Sequence, residues 1–262
     1  MIVDNRCIGE GTWAASAPRR FVPPLIKLSF IVYQFSNSTA PDHGPSATIA
    51  GTALVVPLAL AAAISMTLGN LVAMIQRDIK RMLAYSAISQ AGYIAVGLVA
   101  FTQDGFAAAI FYAVLYLLMN AAAFLVVARV GADGRNPSLD DFRGLHRRSP
   151  LFAATLLLAL FALAGVPPTS GFIGKWFLFR AAMAEGWWWL VLLGAINATI
   201  SVYYYLIVVK HAYLLPAEEE KPLDLTWGDK ALAYGLSAAI VVLGVWPTPL
   251  YDWAVRAASG LP

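Results

Sequence analysis

The sequence predicts an all-α, polytopic integral membrane protein with about six transmembrane helices, the fourth of which is discontinuous at Pro167-Pro168. Its 262 residues are 60% apolar and 13% charged, whereas ordinary soluble domains are about half apolar and a quarter charged. The apolar residues fall mostly into segments of about 20 residues, the length at which a helix crosses a bilayer. Two adjacent prolines at the middle of the fourth segment remove two backbone donors and end a helix there.

The transmembrane domain is predicted at residues 51–255. Its first two spans contain no Asp, Glu, Lys or Arg, and its sixth span is shorter and is ended by Pro247 and Pro249. Several tryptophans lie near span ends, as is typical of the aromatic belt at a membrane interface. The six spans are predicted near residues 53–75, 82–101, 105–130, 151–183, 186–213 and 231–246.

Residues 1–50 are predicted to form an atypical head. Residues 21–35 are mainly apolar with Lys27 among them, and this stretch is too short for a span, so we interpret it as interfacial. The polar, turn-rich residues 37–46 separate the head from the first span.

Charges in the connections predict the orientation. The connections after the first, third and fifth spans, together with the span ends beside them, carry 11 Lys and Arg residues, whereas the other two connections with their span ends and the C-terminal tail carry only Arg180 and Arg256. Basic connections favour the cytoplasmic side, so both termini are predicted to lie outside. Four basic residues in the head reduce this asymmetry but do not reverse it.

The composition also limits the chemistry. The single cysteine, Cys7, cannot form an internal disulfide, and the three histidines lie too far apart in sequence to indicate a zinc site. We therefore expect no metal ligand set. The net charge of +3 is too small to indicate a nucleic-acid partner, so the bilayer is the expected surrounding.

Lys175 is the one ionisable residue predicted to lie deep within a span. A lysine at a bilayer centre costs about 2.5–3.5 kcal/mol on insertion scales, which indicates either a functional group or a tolerated structural one. It follows Pro167 by eight residues, and interrupted membrane helices often line wet cavities. Break and lysine together favour a transport site over a plain proline kink.

Polar side chains recur at helical spacing on three other spans, which predicts either hydrogen bonds between helices or a hydrated path. One such stripe lies on the second span, where Ser86, Ser89 or Gln90, and Tyr93 share a face. Lys80, at the start of that span, is either a positive-inside anchor or a functional residue. The residues predicted to form the path are Tyr116, Asn120, Gln90, Ser201 and Tyr204.

Residues 54–250 closely resemble, in order, the N-type antiporter-like membrane subunit of the proton-pumping NADH:quinone oxidoreductase, complex I. The resemblance covers the C-terminal half of that family, one repeat and a final helix, and residues 1–50 do not share it. Gln90 stands where many N subunits have histidine. The resemblance is carried by the segments RDIKRMLAYSAISQAGYIAVGL, YAVLYLLMNAAAF, LAGVPPTSGFIGK, ISVYYYLIV and LGVWPTPL.

The resemblance implies proton translocation through Lys175, near proton exit, and through Lys80. It implies no cofactor bound by this chain, with NADH, flavin, iron–sulfur clusters and quinone held elsewhere in the complex. It further implies other membrane-arm subunits as partners and a multi-pass location in a bacterial plasma membrane. Two alternatives stay open: a D-type subunit of a multisubunit Mrp cation/proton antiporter, and a non-pumping scaffold in the membrane arm.

Overall fold

The fold is known from a computed structural model that describes residues 45–131, 136–217 and 222–260, with side chains from residue 54 onward. The fold below is that of the compact unit Thr48–Pro262. The predicted interfacial stretch at 21–35 lies outside the described residues. The described helices are α1 (Pro45–Met74), α2 (Ile79–Val99), α3 (Gln103–Val130), α4 (Leu145–Arg148), α5 (Pro150–Ala164), α6 (Ser170–Ala184), α7 (Trp188–Leu214), α8 (Trp227–Val245) and α9 (Thr248–Ala258), with a 3-10 turn at Asp140–Phe142.

Five of the described helices are long and apolar enough to cross a membrane: α1 from Leu54, and all of α2, α3, α7 and α8. The fourth predicted span is a pair of 15-residue helices, α5 and α6, separated by residues 165–169. The prediction of an all-helical membrane protein with an interruption at the two prolines is therefore confirmed.

Helix caps explain where the boundaries differ from the predicted ones. The α2 helix begins at Ile79, three residues early, because the Asp78 side chain accepts a hydrogen bond from the Arg81 amide at 3.1 Å. The α8 helix begins four residues early, because Thr226 and Asp229 form a reciprocal capping box. Such caps meet backbone donors that a helix cannot satisfy internally. Periodicity alone misses these extra turns.

The α9 helix was not predicted. Pro247 and Pro249 end the sixth span as expected, but proline is also favoured in the first turn of a helix, and a new helix starts at Thr248. The α9 helix packs against α3. Its Tyr251 ring stacks on Phe177 of α6 with centroids 4.1 Å apart and meets the edge of Phe111 at 5.6 Å.

The connections after α1, α3 and α7 meet at one end of the bundle. The Ile79 amide donates to the Pro137 carbonyl at 3.2 Å, and the Leu139 amide donates to the Arg77 carbonyl at 3.1 Å. The Gly144 amide reaches the carbonyl of His211, on α7, at 3.3 Å. All three basic connections thus share one end, as the positive-inside interpretation requires. Which compartment that end faces stays a prediction.

Candidate functional site

The helix break is built around Gly165. Its φ of +87° is a backbone conformation that glycine adopts without the steric cost of a Cβ atom. The Gly165 amide donates to the Ala162 carbonyl at 3.0 Å, and the Val166 amide donates to the Phe161 carbonyl at 2.9 Å. These two bonds close the end of α5 in a Schellman arrangement. They leave the carbonyls of Leu163 and Ala164 free to accept other donors.

Lys175, on the second half-helix α6, supplies the hydrogen-bond donor for both carbonyls. Its Nζ donates to the Leu163 carbonyl at 2.9 Å and to the Ala164 carbonyl at 3.0 Å, and the residue is only 4% exposed. These carbonyls lie at the C-terminal end of α5, where the helix dipole favours a positive charge. The side chain therefore reaches back into the break instead of extending towards the far end of α6.

Three further helices converge on the same point. Gln90 of α2 donates its side-chain amide to the Leu163 carbonyl at 3.1 Å, and Tyr112 of α3 donates its hydroxyl to Gln90 Oε1 at 2.6 Å. Lys175 Nζ lies 4.5 Å from the centroid of the Tyr93 ring, within the range of a cation–π contact. The Tyr93 hydroxyl donates to the Gly194 carbonyl of α7 at 3.0 Å. A buried polar cluster thus surrounds the lysine.

A second buried polar cluster joins α1, α2 and α7. Tyr205 of α7 shares a short hydrogen bond with Ser86 of α2. The neighbouring Tyr204 donates its hydroxyl to Asn70 Oδ1 of α1 at 2.9 Å. Asn70 in turn donates to Asn197 Oδ1 at 3.2 Å and to the Asn197 carbonyl at 3.1 Å. All five residues are at most 2% exposed.

The α2 helix connects the two clusters. Ser86 and Gln90 are four residues apart and therefore lie on one face, one turn from each other. Ser86 contacts Tyr205, whereas Gln90 contacts the carbonyl that Lys175 caps. Ser89, between them, is 1% exposed, and its hydroxyl has no hydrogen-bond partner among the described residues. The predicted stripe on the second span is therefore buried and faces other helices.

Among the described residues, none of the other residues predicted for the path is hydrogen-bonded to Lys175, whose Nζ donates to the Leu163 and Ala164 carbonyls. The Ser201 hydroxyl donates to the Ala198 carbonyl of its own helix at 2.6 Å. Tyr116 and Asn120 lie on α3 and are half-buried. Lys80 is half-buried in the first turn of α2, ten residues before Gln90 and thus about 15 Å away along the helix axis. The structure does not bring Lys80 into the cluster around Lys175.

Sequence reasoning missed two parts of this arrangement. Asn70 is fully buried and central to the second cluster, yet it is a single amide in an apolar span and belongs to no stripe. A lone asparagine in such a span is itself a signal, because polar side chains in membrane helices tend to bond across helices. The carbonyls of Leu163 and Ala164 gave no signal, since they are backbone groups of apolar residues.

Within the described part of the chain, no three His, Cys, Asp or Glu side chains are grouped so that they could hold a metal ion. The ionisable contact that stands out elsewhere is between Arg129 of α3 and Asp229 of α8, whose Nη2 and Oδ1 atoms are 2.6 Å apart. It joins the C-terminal end of α3 to the N-terminal end of α8.

Residues 43–201 match the family described as NADH:quinone oxidoreductase/Mrp antiporter, transmembrane. The match includes Lys80, Gln90 and Lys175, together with the whole break between α5 and α6.

Individual relatives agree with this match. The chain is 47% identical over 206 residues to NADH-quinone oxidoreductase subunit N 2 of Solidesulfovibrio magneticus, which is 78% of this chain and 44% of the relative. Among solved structures, it is similar to a chain of the membrane-bound sulfane sulfur reductase, an archaeal respiratory membrane complex, with 27% identity and a TM-score of 0.79 over 90% of this chain and 46% of that one. It is also similar to a chain of respiratory complex I from Thermus thermophilus, with 25% identity and a TM-score of 0.71 over 82% of this chain and 47% of that one. The chain thus spans less than half the length of each of these proteins.

Proposed function

The chain belongs to the NADH:quinone oxidoreductase/Mrp antiporter transmembrane family, and from that premise we propose that it moves protons as part of a membrane subunit of a proton-pumping NADH:quinone oxidoreductase. In this proposal the chain has no redox centre of its own. NADH, flavin, iron–sulfur clusters and quinone belong to other subunits, which are its partners in the membrane. One observation supports the proposal above all. Lys175 is buried, and its Nζ donates hydrogen bonds to the Leu163 and Ala164 carbonyls at the end of α5.

Lys175 is the proton carrier in this mechanism. As an ammonium it donates to the two α5 carbonyls, and the dipole of α5 stabilises its charge. Loss of the proton leaves an amine with no net charge, which the dipole no longer holds as strongly. Proton transfer is thereby coupled to the position of the side chain within the break.

The neighbouring side chains receive and deliver the proton through bound water. Gln90 and Tyr112 lie nearest to the break, and their polar atoms are hydrogen-bonded to each other. The proposed path continues through Tyr204 and Ser201 of α7 and along α3 through Tyr116 and Asn120. Lys80, at the basic end of the bundle, is the proposed residue on the cytoplasmic side.

The proposed topology combines α5 and α6 as one discontinuous span beside five continuous ones. The basic connections then lie in the cytoplasm of a bacterium and the C-terminal end lies outside. Both half-helix termini fall at the depth of the break, where unpaired backbone is tolerated when it lines a polar cavity. Lys175 lies there.

A second candidate function is that of a subunit of an Mrp-type cation/proton antiporter. The family description that matches residues 43–201 includes both kinds of complex, which supports this candidate. The 47% identity to an N subunit favours the first candidate. A non-pumping scaffold in the membrane arm predicts instead that Lys175 is dispensable.

The test is a Lys175→Ala variant in membrane vesicles that contain the assembled complex. Proton uptake and NADH:quinone electron transfer are measured on the same vesicles. We expect assembly to be retained, because alanine is better tolerated than lysine at this depth, and proton uptake per electron to fall. Full proton uptake by the assembled variant contradicts the proposal and favours the scaffold. If the unsubstituted protein exchanges Na⁺ for protons when no electron transfer takes place, the antiporter function is favoured.

A further inference from the structure

The α8 helix lies beside both halves of the broken helix, although it contributes no side chain to the cluster around Lys175. It packs against α3, α5 and α6, and most of its surface is exposed. Its buried side is narrow and consists of Asp229, Ala233, Ile240 and Gly244. The spacing of four, seven and four residues places them on one helical face.

The first contact of this face with the broken helix is on α5. The Ser237 hydroxyl donates to the Thr155 hydroxyl at 3.1 Å, and Thr155 in turn donates to the Leu151 carbonyl of its own helix at 3.0 Å. Thr155 is 1% exposed. This bond connects α8 to the half-helix whose C-terminal carbonyls Lys175 caps.

The second contact is on the break itself and involves Gly244. A Cβ atom at this position would overlap the Pro168 carbonyl oxygen and would lie 2.7 Å from the Ser170 amide nitrogen. Both neighbours are backbone atoms, so they cannot rotate away as a flexible side chain can. Gly244 thus lets the α8 backbone touch the connection between the half-helices and the first residue of α6.

The third contact fixes the position of α8 along its axis. Asp229 accepts hydrogen bonds from the Thr226 amide and hydroxyl at 2.9 and 2.8 Å, and it pairs with Arg129 of α3. From Asp229 to Gly244 the helix rises about 22 Å. Contacts at both ends and on the face between them restrain sliding and tilting of α8.

From these contacts we propose that α8 holds the two half-helices α5 and α6 in a fixed relative position. Gly244 and Ser237 are then positioning residues for Lys175. The Leu163 carbonyl and Lys175 Nζ belong to different half-helices, so their distance depends on how α5 and α6 are held relative to each other. Because α8 touches α5, the break and α6, it sets that relation. The proposal rests on the proposed proton transfer through Lys175 for its functional consequence, but not for its structural one.

The experiment compares Gly244→Ala with Gly235→Ala in the assembled complex. The control lies on the same helix, and nothing lies within 4 Å of the Cβ atom that it adds. Both changes raise helix propensity equally, so only the contact with the break differs. Hydrogen exchange of the Val166, Thr169 and Phe172 amides, which are bonded within the break, reports on its geometry. Protons translocated per electron report on Lys175.

For Gly244→Ala we expect about tenfold faster exchange of these amides and at least a twofold fall in protons per electron, with Gly235→Ala unchanged in both. Unchanged exchange overturns the proposal. Faster exchange with unchanged pumping also overturns it, since the break then moves without affecting the lysine. Full pumping by Lys175→Ala instead overturns the proposed function, and the exchange result still decides whether α8 holds the break.

A gentler pair of variants covers the case in which Gly244→Ala does not assemble. Ser237→Ala removes only the hydroxyl that reaches Thr155, and we expect a smaller acceleration of exchange, about threefold. Ser237→Thr keeps a hydroxyl and should restore the original rate. If the amides of the break exchange at equal rates in both variants and in the unsubstituted protein, the proposed role of α8 is overturned.

Discussion

Lys175 Nζ lies 2.9 Å from the carbonyl oxygen of Leu163, so a side chain of the second half-helix caps the end of the first. The bond closes a gap in the backbone ladder that the break creates. Whether the Leu163 carbonyl is capped therefore depends on the protonation state and the position of the Lys175 side chain.

The chemical identity of the cap is tested by replacing Lys175 with arginine or glutamate. Arginine keeps the charge and the hydrogen bonds, but a guanidinium holds its proton at all physiological pH values, so we expect no recovery of pumping relative to Lys175→Ala. A buried carboxyl group can also carry a proton, so Lys175→Glu should restore part of the activity. The measurement is proton uptake per electron in vesicles. Full pumping by Lys175→Arg contradicts a role in proton release.

Gly165 is predicted to be sensitive to substitution for two separable reasons. Its φ of +87° makes alanine unfavourable by about 1–2 kcal/mol, and an added Cβ atom would lie 3.1 Å from Lys175 Cδ. Gly186 has a φ of +79° and nothing within 4 Å of such a Cβ atom. Gly165→Ala and Gly186→Ala should therefore lower thermal stability to a similar extent, but only Gly165→Ala should lower pumping. An equal loss of pumping in both variants indicates strain alone.

The second polar cluster is tested by removing one hydroxyl. In Tyr205→Phe the ring remains but Ser86 loses its partner, which costs about 0.6 kcal/mol for an average hydrogen bond between membrane helices. We expect a small fall in the melting temperature of the complex and a clear fall in the number of protons pumped per electron. Tyr203→Phe is the matched control, since Tyr203 is on the same helix and 58% exposed. Equal pumping by the two variants assigns the cluster to helix packing only.

The orientation is tested with single cysteines in a Cys7→Ser background. The positive-inside rule predicts that Ser259→Cys reacts with a membrane-impermeant maleimide added to intact cells. Ser138→Cys, in the basic connection after α3, should react with the maleimide only after the cells have been permeabilised. The reverse pattern of labelling contradicts the proposed topology.

The sequence predicted the parts of the fold that depend on long patterns. Apolar segments of bilayer length identify α1, α2, α3, α7 and α8 because lipid imposes that length. The interruption at Pro167 and Pro168 was readable because proline lacks a backbone donor. By contrast, Pro247 and Pro249 stop the α8 helix and also lie in the cap and first turn of α9, so the same residues support both an end and a start.

The candidate site was predictable only in its side chains. Lys175 and Gln90 stand out as polar residues in apolar spans, and the structure brings them to one carbonyl. That carbonyl belongs to Leu163, whose side chain carries no sign of its role. Lys80 matched a motif, but its separation from the break follows from the contact of Gln90, ten residues along α2, with the Leu163 carbonyl, and no motif shows that tertiary contact.

The stacking of Tyr251 on Phe177 connects the amphipathic helix α9 to the residue two positions after Lys175. A displacement of α9 must either separate these rings or carry the lysine-bearing half-helix with it. Asp252 and Trp253 beside this tyrosine are exposed. A binding protein that displaced α9 at that surface would therefore also act on the half-helix that carries Lys175.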